Sequence, residues 1–100
     1  MSAMTADQRC KAYRLAPGCD SADDLARALG VQPADVSRIW RIANEPFRDL
    51  LCGHLMTVAA EELVVPYRTM QSWCCGEREC PIYVRIYVAD YFGFGIDNSD

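Results

Sequence analysis

The sequence predicts an all-α fold, a compact helical bundle with one or two helix-turn-helix units, and three observations carry that expectation. Apolar residues recur at three- and four-residue spacing along most of the chain. Helix punctuation stands where that spacing starts and stops, with Ser21, Pro33 and Pro66 at openings and Gly30 at a close. One pattern of small and apolar residues also returns after 34 positions. With 100 residues, 51% hydrophobic and 24% charged, the chain has the balance of one folded domain around one core, residues 1–100. No stretch approaches the roughly 20 apolar residues that cross a bilayer, and Met1 is followed by small and polar residues rather than a basic start and an apolar run. A cytoplasmic protein without membrane contact is the expectation.

The elements follow in order. Ala6 to Leu15 reads as a short amphipathic helix with Ala6, Cys10 and Tyr13 on one side, ended by Pro17-Gly18. Ser21, three residues before Asp24, opens a second helix from about Ala22 to Leu29, which places Leu25, Ala26 and Leu29 together and ends at Gly30. Pro33 suits the first turn of a third helix, because its missing N–H has no intrahelical partner there. Val36, Ile39 and Trp40 then face inward, with Arg38 and Arg41 outward. Residues 22–41 fit a helix-turn-helix: Ala26 allows a close crossing, Gly30 permits positive φ in the turn, and Val36 with Ile39 closes the wedge. An ordinary pair of core helices shares this pattern.

Shifted by 34 positions, Ala60 stands for Ala26, Val64 for Gly30, Met70 for Val36 and Trp73 for Ile39. Val64 in the glycine place predicts either a different φ or strain. Pro66 again begins a helix, with Met70 and Trp73 inward and Tyr67, Arg68, Gln71 and Ser72 outward.

The stretch "VVPYRTMQSW", followed by "GERECPIYV", resembles small helix-turn-helix proteins related to lambda repressor and Cro, the XRE type. The resemblance covers about residues 44–94 and is densest from Val65 to Val84. It implies double-stranded DNA as partner, with a recognition helix from Pro66 to about Cys74 and Tyr67, Arg68, Thr69, Gln71 and Ser72 as contacts. Gln pairs with an adenine edge, Arg with guanine or phosphate, and hydroxyls with phosphate oxygens. In the first pair Gln32, Ser37, Arg38 and Arg41 could serve similarly, whereas Asp35 would repel a phosphate. The resemblance also implies a helix from Ile82 to Phe92, although "PIYVRIYVADYFGFGI" reads as strand on propensity alone. Tyr83, Ile86, Tyr87 and Tyr91 would close the core on one broad face, and a second face of Val84, Val88, Phe92 and Phe94 is a candidate for self-association as a homodimer.

Charge divides the chain. Up to Ala43 six basic residues meet five acids; from Asn44 onward four arginines meet nine acids. Affinity for a duplex rests largely on phosphate neutralisation, so only a local basic patch could supply it in the second half.

Six cysteines and one histidine are present, without a Cys-x-x-Cys. Cys75 and Cys80, with Cys52 and His54, are the only reasonable zinc set, and their spacing is poor for it. Adjacent residues on a helix diverge by about 100°, so Cys74 and Cys75 make no natural claw. No metal or cofactor is expected, and reduced thiols are the expectation in the absence of an export signal. Cys52 and His54, two apart on an expected helix, cannot face one another as nucleophile and base. A glycine-rich phosphate loop is missing, Glu61 and Glu62 point to different sides of a helix, and Glu77 and Glu79 fall in a turn. The chain therefore reads as a non-enzymatic DNA-binding regulator. The alternative is an acidic phage-type interaction module that inhibits a host nucleic-acid-handling complex, for example an anti-CRISPR protein.

Overall fold

A computed structural model describes residues 4–95. Among them the fold is all-α: α1 (Ala6–Leu15), a 3-10 turn (Ala16–Gly18), α2 (Ala22–Leu29), α3 (Pro33–Asn44), a second 3-10 turn (Phe47–Leu51), α4 (Met56–Leu63), α5 (Tyr67–Cys75) and α6 (Ile82–Phe92). None of these helices is long and apolar enough to cross a membrane. The elements fall into two compact units, Met1–Asn44 and Glu45–Asp100.

In the first unit local chemistry starts and stops each helix. Thr5 and Gln8 form a full capping box on α1, the Thr5 hydroxyl accepting from the Gln8 N–H and the Gln8 side-chain Oε1 accepting from the Thr5 N–H. Ser21 caps α2 by accepting from the Asp24 N–H at 3.3 Å, and Asp23 and Asp24 place negative charge in the first turn, where the helix dipole favours it. Gly30 ends α2 in the left-handed region at φ +71° and donates its N–H to Ala26 O. The core comprises Ala12, Ala16, Leu25, Ala26, Val36 and Ile39, with Met4, Tyr13, Leu29 and Trp40 packed against it.

The inner face of α1 differs from the expected Ala6–Cys10–Tyr13 side. Ala6 and Cys10 are exposed, while Ala12 is buried and Tyr13 half-buried. Small side chains win the inward position because α1 packs against α2 and α3, where an alanine permits close approach. Two side chains tie the end of α3 to the turn below it. The Trp40 indole N–H donates to Cys19 O at 2.9 Å, and Asn44 Nδ2 donates to Ala16 O at 3.0 Å and to Trp40 O at 2.9 Å.

The second unit repeats the first at its helix pair. α4 spans Met56–Leu63 where α2 spans Ala22–Leu29, and α5 begins at Tyr67 where α3 begins at Pro33, the same 34-residue displacement read from the sequence. Val65 donates to Ala60 O at 2.9 Å as Val31 donates to Ala26 O at 3.0 Å. Ala26 and Ala60 are both buried, and so are Val36 and Met70. Val64 takes the left-handed conformation itself, at φ +55°, rather than a substitute for it. Its side chain is 88% exposed, so no packing contact offsets the unfavourable backbone of a β-branched residue there.

α5 and α6 pack against the second 3-10 turn. The Phe47 and Trp73 rings lie 5.4 Å apart. α6 has the expected limits but turns its faces the other way. Val88, Ala89 and Phe94 are buried and Val84 and Phe92 half-buried, whereas Tyr83, Tyr87 and Tyr91 stand 72%, 55% and 48% exposed. The inward side carries no hydroxyl, whereas a buried tyrosine would need a partner for its own. Asp97 and Asp100, two of the nine carboxylates of this half, lie outside the described residues.

Candidate functional site

α5 is the centre of the candidate surface. Pro66 precedes it with φ −57° and ψ 138°, extended backbone that turns the chain into the helix. Met70 is fully buried and Trp73 half-buried, which orients the opposite side outward. Of the five residues expected to read DNA from this helix, Tyr67, Arg68 and Gln71 are exposed, and Thr69 and Ser72 are half-buried. The side chains of Tyr67, Arg68 and Gln71 make no hydrogen bond or ion pair among the described residues. They are available donors and acceptors: a phenol, a guanidinium and an amide on one helix.

In the first unit Gln32, Ser37 and Arg41 are exposed and Arg38 is half-buried. Arg38 and Arg41 are both engaged with other groups of the protein, so they are less free than Arg68.

A groove of about 380 Å³ opens beside the start of α5, lined by Thr57, Ala60 and Glu61 of α4 together with Val65 and Tyr67. Thr57 and Glu61 share it because residues four apart lie on one side of a helix. Sequence reading alone missed this groove, since it joins residues of two helices through the Val64 turn. The i, i+4 spacing puts Thr57 and Glu61 on one side of α4 but says nothing of Tyr67 across from them.

A second cleft, about 250 Å³, lies at the far end of α5 and is bordered by Trp73, Cys74, Cys75, Arg78, Cys80 and Arg85, among others. Burial pushes the Cys80 thiol up to about 12, with the Cys74 sulfur adding to the shift and Arg85 opposing it. Cys74 is also raised, by burial first, against the charge and hydrogen bond of Arg48. Both thiols therefore stay protonated and weakly nucleophilic at neutral pH. All six cysteines are free. Cys52 sits in a left-handed turn at φ +53° rather than on a helix. In the loop beyond it, His54 donates through Nδ1 to Leu51 O at 2.8 Å and lays its ring 4.6 Å from that of Phe92. No group of three His, Cys, Asp or Glu among the described residues is placed to hold a metal ion.

The Cys80 shift has a sign that can be tested. A thiol whose folded value lies above its ordinary 9.0 contributes stability fully below pH 9, and that contribution is lost as pH rises toward 12. Urea unfolding at about pH 8 and about pH 11 should therefore show wild type losing more stability than Cys80→Ala between the two. Equal losses would mean that Cys80 is solvated.

No family model, curated protein or solved structure matches this chain, so its function rests on the surfaces just described.

Proposed function

We propose that the protein is a non-enzymatic DNA-binding regulator of helix-turn-helix type, with α5 lying in the major groove. The observation that supports this most is the outward row of Tyr67, Arg68 and Gln71, exposed and uncommitted on a helix held from behind by Met70. A major groove admits a helix of this kind, Gln71 matches the N6–N7 edge of adenine, and Arg68 matches guanine or a phosphate. Each residue thus has one role: Arg68 supplies charge, Gln71 specificity, and Tyr67 a hydroxyl at the helix start.

The test is a salt titration of duplex binding by fluorescence anisotropy, with random and selected sequences. Arg68→Gln is expected to weaken binding about tenfold and, if the contact is to phosphate, to reduce the salt slope by about 0.9. Gln71→Ala should cost about 1–3 kcal/mol on the selected sequence and leave random DNA nearly unchanged. Absence of any duplex binding at about 50 mM salt would sink the reading, since phosphate attraction is strongest there.

A second reading is favoured by the excess of acid after Asn44, where nine carboxylates meet four arginines. It is an acidic interaction module that docks on a host nucleic-acid-handling complex in place of nucleic acid. Lost duplex binding together with saturable binding to a basic protein surface would select it.

A further inference from the structure

Glu61 is the carboxylate of the α4–α5 groove, and it carries no ion pair among the described residues. Its place is locally unfavourable. Glu61 and Glu62 both fall in the last turn of α4, which contains no basic residue, and the C-terminal end of a helix is already negative. A side chain kept against the helix dipole, beside a valine held at positive φ, marks a place where local stability is not what the sequence serves.

The rest of the groove is consistent in chemistry. Ala60 and Val65 give an apolar floor, Thr57 an acceptor hydroxyl, and the half-exposed Tyr67 an aromatic ring. A phosphate would meet the Glu61 carboxylate and the negative helix end. A lone metal ion would find a single carboxylate. What satisfies every wall is a cation on an aliphatic stem: methylenes against Ala60 and Val65, a charged head on Glu61, and a ring to lie over. Guanidinium fits better than ammonium, because its plane both stacks on a ring and pairs with a carboxylate through two N–H groups.

We propose that this groove is a docking site for an arginine side chain presented by a protein partner. Tyr67 belongs to both surfaces, so wherever the DNA reading also holds the docked arginine competes with the duplex for the start of α5. The inference does not depend on the DNA reading.

The probe is a capped hexa-arginine peptide, titrated calorimetrically at about 50 mM salt, where charge pairing is least screened. A hexa-citrulline peptide of the same shape but no charge, and a hexa-lysine peptide, are run beside it. Hexa-arginine should bind, hexa-lysine more weakly, and hexa-citrulline not at all. Glu61→Gln should weaken hexa-arginine binding about tenfold or more, and Tyr67→Leu about two- to fivefold. Glu62→Gln, next in sequence but outside the groove, should stay within about twofold, as one more screened surface charge. Glu61→Gln should melt at or above the wild-type temperature, which separates lost binding from lost folding. Equal losses for Glu61→Gln and Glu62→Gln, or equal affinity for lysine and arginine peptides, would overturn the proposal. Arginine-peptide binding without duplex binding would leave this inference standing and remove the regulator; the reverse pattern would remove only this inference.

Discussion

Met70→Ala is expected to cost about 2–5 kcal/mol of folding free energy, the range for emptying a fully packed core position. Met70 has no exposed surface, and it is the buried residue through which α5 is held in the place that Val36 occupies in α3. Against a typical total of about 5–15 kcal/mol, such a loss removes a large share of what keeps a domain folded. Thermal unfolding followed by circular dichroism should show the midpoint falling by about 10 °C or more. The outward neighbours give the contrast: Gln71→Ala, on the same helix but exposed, should change stability by no more than about 0.5 kcal/mol. A Met70→Ala effect as small as that would mean that α5 is not anchored by this side chain, and its outward row would lose its fixed orientation.

Exchanging the two turn residues should move stability in opposite directions. Val64→Gly is expected to gain about 1 kcal/mol, because a left-handed conformation costs a side-chain-bearing residue roughly 1–2 kcal/mol and glycine's extra freedom when unfolded returns part of that. Gly30→Val should lose a comparable amount. A Cβ at Gly30 would meet nothing within 4 Å, so the loss is of backbone origin and not a clash. Chemical denaturation of both variants measures the pair. Two changes of the same sign would show that the turns are not equivalent despite matching dihedrals.

Much of this architecture was legible because its signals are local. Ser21, Gly30 and Pro33 act on the backbone beside them, and the structure has a cap, a left-handed stop and a helix start at those residues. The repeat was legible for the same reason, and it correctly raised the conflict at Val64. Faces were harder. α6 carries isoleucine, tyrosine or valine on every side, so its sequence has no preferred inward direction, and packing against Phe47–Leu51 chose one. α1 has weak amphipathicity as well, and its inner side was decided by which residues are small enough for the contact. On α5 the outward positions of Tyr67, Arg68 and Gln71 followed from periodicity, while Ser72, expected outward, is half-buried. The groove was invisible for a different reason: it needs the crossing of two helices to bring Glu61 beside Tyr67, and no spacing along one helix encodes that.

The chain has two tryptophans, and the fold assigns one to each unit. Trp40 donates its indole N–H to Cys19 O, and Trp73 packs on Phe47 beside the thiols of Cys74 and Cys75. Each unit therefore carries its own fluorophore in a different setting, one hydrogen-bonded through its indole N–H and one packed on an aromatic ring. Trp73→Phe would leave emission that reports the first unit alone, and Trp40→Phe the second. With that pair of variants, occupation of the α5 surface and unfolding of either half become separate optical signals in the unlabelled protein.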